Sequence, residues 1–570
     1  MSRFLIFYLC SMPLALNGFI PTVQEGGFTS DPQHLAAPPY TGNDFKEMVE
    51  LRVPLVDKTD FIKQFNSSTK RILITRPRGF GKTFNLSMLK HFYALNTNSS
   101  HLFQDKAICK DKTFCAKYLN KREVLYMSFG GLNHSTFEGV RGAFKGFARR
   151  LYQENSYLAN SSHVPPAEQP AFKAFARGKI NDNQIPEAFG LLVRYLHAGR
   201  GKLVLLLDDY DGPIRTGYTH KYYDRIRTLV TAILRALFQD DYLEFGVVTG
   251  ITNVGTEDMN FLEYPMNDGA LSEFFGFTYD EMESLAKQFG EPKPGLVPKM
   301  EAMYEGYYFG NRTVHNPYDV VVSLRRGGDL DDHWVQACGD ENPYEFWNEF
   351  GLMPSLKGQF LLGDVMPRQW LRKQVDLSLM DSDEDMFWTY VTRLGYLTVA
   401  DVLSITGNGD ALYALRIPNQ ELRETIHFIV YGIPHHFQVR EYEKFEEAYQ
   451  WQQEKAATRI LTKYANRTGK YFKTAPLRTA LGLVTGLEET RGRLIKVPGD
   501  CEMYIFEKAQ NMILLRTVID KADLNPQTEE KWMIDCFEHI KKKLPENRVT
   551  RQAVVSVWGT TVIMQFYQYR

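Results

Sequence analysis

The chain has 570 residues, too many for one compact unit when a domain averages about 150, so several folded units are expected. Hydrophobic residues make up 44%, aromatics 13% and charged residues 24%, which excludes wholesale disorder, collagen and coiled coil. Lys plus Arg at 67 nearly cancels Asp plus Glu at 68, so bulk charge does not favour nucleic acid as a partner, and six cysteines without a C-x-x-C pair exclude a disulfide scaffold and a zinc module.

Met1-Ser2-Arg3 followed by the 13 mostly apolar residues Phe4–Leu16, with Ala15, Asn17 and Gly18 near a cleavage point, reads as a secretory signal peptide over residues 1–18. The run falls short of the roughly 20 residues a membrane-spanning helix needs. No later segment comes closer, so no membrane anchor is expected. The expected address is the secretory pathway or secretion, with the cytoplasm as the alternative if the leader is not a signal. Six N-x-[ST] sequons follow, at Asn66, Asn98, Asn133, Asn160, Asn311 and Asn466; glycans there would require surface positions. Cys109 and Cys115 either bridge or remain two buried thiols. Residues 19–43, with Gly26, Gly27, Pro32, Pro38 and Pro39, read as a flexible leader, and folding is expected to start near Asp44.

From residue 44 to about 280, short apolar runs alternate with helical patterns. The runs are Arg71–Thr75, Val124–Phe129, Leu203–Leu207 and Phe245–Thr249; unbroken apolar strands between helices predict a parallel sheet covered on both faces. Leu86, Leu89, Phe92 and Tyr93 form one helical stripe. Ile226, Leu229, Val230, Ile233, Leu234 and Leu237 form another, both read as core. Residues 155–170, rich in Ser, Asn and Pro, read as a surface loop.

Strand Arg71–Thr75 runs into Arg76-Pro-Arg-Gly-Phe-Gly-Lys82-Thr83 and then into a helix near Phe84, the context a phosphate-binding loop requires. Gly79 and Gly81 let backbone N–H groups turn toward a β-phosphate, and the helix start adds a positive dipole end. Nucleotide contacts are therefore expected along Arg78, Gly79, Phe80, Gly81, Lys82, Thr83 and Phe84, with the Lys82 ammonium on the β- and γ-phosphates and the Thr83 hydroxyl on Mg²⁺. The strict pattern wants Gly where Arg76 stands. Leu203–Leu207 ends in Asp208-Asp209, which places Asp208 on the metal and the second carboxylate beside an attacking water. Ionised groups at the end of a buried strand must be solvated, paired or bound to a cation. Thr249, ending a further strand, is positioned to sense the γ-phosphate. Lys82, Asp209 and Thr249 are the candidate catalytic set, with ATP and Mg²⁺ as cofactors.

Several stretches resemble the AAA-ATPase-like family, P-loop ATPase modules that often precede a restriction-endonuclease-like domain. They are Val53–Thr59, Arg76–Leu89 with Arg-Pro-Arg in place of the first P-loop Gly, Leu207–Ile214, Thr249–Thr252, Met303–Gly310 with Asn316-Pro317-Tyr318, and Leu415–Arg423. The resemblance implies an α/β fold: an AAA-like P-loop NTPase sheet over 44–280, an α-rich middle region over 281–430, and a smaller α/β nuclease-like domain over 431–570. Asp209 stands where the family carries Glu, which implies slow hydrolysis, and Asn253 stands where a basic residue is common. In the third segment Asp500 is the one acid in place, since Arg516 and Val518 occupy the positions of the expected Glu and Lys. That domain is therefore read as degenerate, and Lys541–Lys543 as a solvated helix face. The reading is a slow Mg²⁺-dependent ATPase; the alternatives are a pseudo-ATPase scaffold for a protein partner and an ATP-coupled DNA nuclease.

Overall fold

The first fold signal is a helix cap: Asp44 Oδ1 accepts from the backbone N–H of Lys46 and Glu47 at 2.9 and 3.3 Å, opening helix α1 (Phe45–Glu50). The computed structural model describes residues 43–423 except 66–69, 96, 267–268, 291, 305, 311, 331–332, 335–364, 381 and 408. It further describes 453, 455–459 and the strand backbones at 493–496, 501–506, 511–517, 551–558 and 561–567. The expected signal peptide, nearly all of the leader, and the sequons at Asn66, Asn311 and Asn466 lie outside the described residues.

Strands β1 (Arg71–Thr75), β2 (Glu123–Ser128), β3 (Leu203–Asp208), β4 (Leu243–Gly250) and β5 (Leu262–Tyr264) form one sheet in the order β2-β3-β4-β1-β5. All its pairs are parallel. Every residue of β3 is buried, the outcome of an apolar run covered on both faces. The crossovers carry α2 (Lys82–Tyr93), α3 (Ser100–Phe103), α4 (Lys112–Tyr118), α5 (Phe137–Glu154), α6 (Gln169–Ala176), α7 (Ile185–Arg200), α8 (Gly212–Thr219) and α9 (Tyr223–Leu237). The α9 stripe packs as expected: Ile226, Val230, Ile233, Leu234 and Leu237 are buried, with Leu229 half-buried.

Because the strands run the same way, the P-loop, Asp208 and Thr249 all emerge at their carboxyl ends, where open α/β sheets bind ligands. The register sets Thr75 beside Gly250 and Leu207 beside Val248. The stretch 155–170 is pinned by Leu158 and Val164, both buried, while Asn98, Asn133 and Asn160 are exposed. Cys109 and Cys115, open in the sequence, are joined in a disulfide with Cα atoms 5.5 Å apart.

Beyond the sheet, the segment expected to be α-rich mixes both elements. Thr278 caps α10 (Tyr279–Phe289) in a capping box with Glu281, followed by α11 (Leu296–Tyr304), the hairpin β6 (Tyr307–Phe309) and β7 (Arg312–Val314), and α12 (Pro317–Arg325). Met282, Leu285, Met300, Tyr304, Val320 and Leu324 bind these helices into one core. Strands β8 (Val365–Leu371), β9 (Thr398–Ile405) and β10 (Ala411–Arg416) form an antiparallel sheet in the order β8-β10-β9, and helix α13 (Glu384–Leu394) precedes β9. The alternating burial of β10 is a period-two signal that the helical reading passed over. Among the described residues no helix is long and apolar enough to cross a membrane.

The chain divides into two units, Met1–Pro343 with Leu362–Glu421, and Tyr344–Leu361 with Leu422–Arg570. In the second, β11 (Arg493–Lys496), β12 (Cys501–Phe506), β13 (Asn511–Thr517), β14 (Arg551–Trp558) and β15 (Thr561–Tyr567) lie in sequence order. All its pairs are antiparallel except β13 with β14. The hairpin expected near 499–518 is β12 with β13, and Arg516 pairs with Cys501 in its register. Asp500, Val518 and Lys541–Lys543 lie outside the described residues.

Candidate functional site

Two glycines shape the loop after β1. Gly79 and Gly81 take φ of +83° and +76°, a left-handed backbone that other residues adopt only at a cost. A Cβ on Gly79 would lie 2.7 Å from Asn316 Oδ1 and 3.1 Å from Trp334, so the loop and the middle segment are in contact. The first turn of α2 starts at Gly81 without a side-chain cap, leaving N–H groups for a ligand.

The loop's outer face is built into the core. Phe80 is buried between Tyr307 and Phe309, with ring centroids 4.8 and 4.9 Å away, and Trp334 Nε1 donates to the Arg78 carbonyl at 2.9 Å. What Phe80 can offer a nucleotide is therefore its backbone; its ring is committed to packing. Arg76, at the position of the missing Gly, also points away from the cleft. Its Nη1 donates to the carbonyls of Thr75 and Tyr264 at 2.8 and 2.7 Å. The guanidinium lies 5.0 Å from the Phe275 ring and 5.3 Å from that of Phe309. A large residue fits here because the side chain joins β1 to β5.

On the inner face, Lys82 is half-buried and Nζ donates to the carbonyls of Arg76 and Pro77 at 2.9 and 2.8 Å. Thr83 Oγ1 donates to Asp208 Oδ2 at 2.7 Å, and Thr249 Oγ1 donates to Asp208 Oδ1 at 2.6 Å. The structure thus brings Thr83, Asp208 and Thr249 together in one hydroxyl, carboxylate, hydroxyl row. Phe84 turns outward to meet Phe45 at 5.7 Å.

Asp209 has a left-handed backbone, φ +46°. Its carboxylate occupies space that two glycines leave open: a Cβ on Gly130 or on Gly212 would lie 2.9 Å from Oδ2. Arg215 Nη2 approaches its Oδ1 at 3.3 Å while Arg215 Nη1 pairs with Asp211 at 2.7 Å. Asp211 in turn accepts from the N–H groups of Ile251 and Thr252 and from the Thr252 hydroxyl, tying the turn after β3 to the end of β4.

Burial pushes the Lys82 ammonium down to about 8, against the opposing pull of Asp209, Asp208 and Asp211. Burial likewise raises the Asp209 carboxyl above its usual range, with Arg215 the main opposing charge. Among the described residues no group of three or more His, Cys, Asp or Glu could hold a metal ion. The Thr83 hydroxyl and Asp208 carboxylate fit Mg²⁺ instead, a hard cation that takes one or two protein oxygens and completes its shell with water and phosphate.

Asn253, expected to mark a lost charge, is a buried joint. Its Nδ2 donates to Glu263 Oε2 and the Lys373 carbonyl, both at 2.8 Å, and its Oδ1 accepts from Val375 N–H at 2.9 Å. Sequence reasoning missed Arg215, Trp334 and Arg393. Only Arg215, four residues after Asp211, stood close enough to a motif to be found.

Residues 39–260 match the AAA-ATPase-like family, described as predicted AAA-ATPases, so this segment is AAA-ATPase-like. A protein of Azotobacter chroococcum mcd 1, described as an uncharacterized protein in the vnfD 5'region, is 24% identical over 383 residues. The match covers 65% of this chain and 65% of that protein, so the chain spans less than two thirds of the relative's length. Two solved structures from Aeropyrum pernix are similar at a distance. The ORC1 protein in complex with DNA shows 13% identity and a TM-score of 0.23, covering 69% of this chain and 95% of its own. The ORC2 protein in ADPNP-ADP complexes shows 12% identity and a TM-score of 0.26, covering 71% and 99%.

Proposed function

We propose that this chain, AAA-ATPase-like over residues 39–260, binds ATP with Mg²⁺ at the carboxyl ends of β1, β3 and β4 and hydrolyses it slowly. The observation that carries the reading is the convergence of Thr83 and Thr249 on the two oxygens of Asp208, beside a lysine that rests on its own loop's carbonyls. In this reading Lys82 exchanges those carbonyls for β- and γ-phosphate oxygens, while the N–H groups of Gly79–Thr83 neutralise phosphate charge. Thr83 and Asp208 would hold the metal, which when bound supplies charge stabilisation on the phosphoryl oxygens.

Asp209 orients water and Thr249 sits near the γ-phosphate. The Asp209 carboxylate is one methylene shorter than a glutamate, and a displacement of about 1 Å can cost on the order of 10²-fold in rate. Replacing Lys82 with Ala is expected to weaken ATP binding by the purified protein by about a hundredfold or more in a titration calorimeter; retained affinity would remove the reading.

The alternative, nucleotide used only to hold the fold for a protein partner, is favoured by one observation: Arg215 already engages Asp209. Asp209→Glu separates the two, since a handicapped ATPase gains turnover and a scaffold stays inert. The disulfide at Cys109–Cys115 and the exposed Asn98, Asn133 and Asn160 support passage through an oxidising secretory compartment.

A further inference from the structure

A cavity of about 260 Å³ lies beside β5, away from the Asp208 row, between the end of that strand and the layer formed by α13 and the β8–β10 sheet. Pro265, Met266, Leu371, Val399 and Tyr413 supply its apolar wall. Two polar groups in its lining have no side-chain partner among the described residues. The Thr392 hydroxyl is buried and has no hydrogen-bond partner among the described residues, a cost of about 1–3 kcal/mol unless a ligand or water meets it. Lys373 is exposed at the rim, and its stem lies against Gly409, where an added Cβ would fall 2.7 Å from Cδ.

The other charges in the lining are already matched. Arg372 faces Asp383, Asp385 and Asp410. Arg393 Nη1 donates to Thr75 Oγ1 at 2.8 Å and to Glu263 Oε1 at 3.0 Å. Glu263 also takes Asn253. Among the described residues, one uncommitted cation, one uncommitted hydroxyl and an apolar wall make a pocket that suits an amphiphilic anion.

We propose that this cavity binds a small amphiphilic anion, an apolar body with a carboxylate or phosphate-ester head, the Lys373 ammonium taking the head and the Thr392 hydroxyl donating to it. At about 30 Å³ per water the volume holds roughly nine waters, so the ligand has about that many non-hydrogen atoms. The site also reaches the nucleotide loop: Arg393 in its wall holds Thr75, the residue before Arg76, and Lys373 and Glu263 hold Asn253 past Thr249. Occupancy therefore changes ATP affinity, a second claim that rests on the nucleotide reading above.

Hexanoate, phenylacetate and hexyl phosphate titrated into the full chain test the site, with inorganic phosphate and hexan-1-ol as controls lacking body and charge. Saturable binding of at least one amphiphile, about tenfold weaker in Lys373→Gln and about threefold to tenfold weaker in Thr392→Val, is expected. No saturable binding of any amphiphile overturns the proposal, as does equal binding of phosphate or of hexan-1-ol, or affinity unchanged in both variants. The carboxylate and phosphate-ester arms decide which head the site prefers. Lys82→Ala keeps its hexanoate affinity, so failure of the nucleotide reading leaves this titration intact; bound hexanoate without a change in ATP affinity overturns the coupling.

Discussion

The two faces of the loop at 76–81 behave as different materials. Toward the cleft, Lys82 donates to two loop carbonyls and Thr83 and Thr249 share the Asp208 carboxylate, bonds that on the proposed reading phosphate and metal would take over. Toward the core, Arg76 and Phe80 are committed to partners no ligand can displace: strand carbonyls, aromatic rings and a tryptophan N–H on the neighbouring Arg78. On the reading proposed above, a loop that reshapes around a triphosphate would be anchored on one side by packing and left exchangeable on the other. Binding then asks for local exchange of hydrogen bonds with the surrounding core left in place.

The sharpest way to break this contrast is at the anchor. Phe80→Ala should cost about 3–5 kcal/mol of stability, measured by chemical denaturation, since a fully buried ring is lost. A loss below about 1 kcal/mol would mean the socket of Tyr307 and Phe309 collapses at little cost. On the exchangeable face the order reverses: Lys82→Ala should weaken ATP binding by about a hundredfold or more, the loss of charge-assisted bonds worth about 1.5–3 kcal/mol each, with Tm near the parent's. A matching drop in Tm would make Lys82 part of the anchor.

Proton linkage sharpens the comparison further. With Lys82 near 8, its ammonium is intact below that pH and lost above it, so ATP affinity should hold from pH 6 to 7 and then fall by up to about tenfold per unit above 8. Bound phosphate restores the ammonium, so calorimetry in two buffers above pH 8 should register proton uptake. A flat affinity profile to pH 9 would show that the ammonium is not what grips the phosphate. The smallest effect is expected at Thr249→Val, which removes one donor to a buried carboxylate and should cost about 1.5 kcal/mol of stability. Turnover should fall more than ATP affinity if Thr249 acts at the γ-phosphate.

Much of the cleft's geometry was legible in one dimension because its residues are contiguous. A strand, two glycines that turn the backbone, Lys82-Thr83 and a helix start lie within one short stretch, and the acids after β3 announce themselves by following an apolar run. The sheet was legible for the same reason, each of its four longer strands being a continuous run. Strand β5, with three residues, carried too little pattern. Asn253 is a different case: comparison with a motif marked a missing charge there, and only the structure shows the amide joining three segments.

From the sequence alone came the αβ alternation, the glycine-turned loop at 76–81 and the Asp208-Asp209 pair, all local patterns of period, turn chemistry and charge. The fold alone decided that Arg76 faces inward, that Phe80 is an anchor, and that Arg393 reaches Thr75. The physical reason is range. Trp334 bonds Arg78 across 256 positions and Arg393 bonds Thr75 across 318, and such pairings are chosen by how whole layers pack, which no short window of residues encodes.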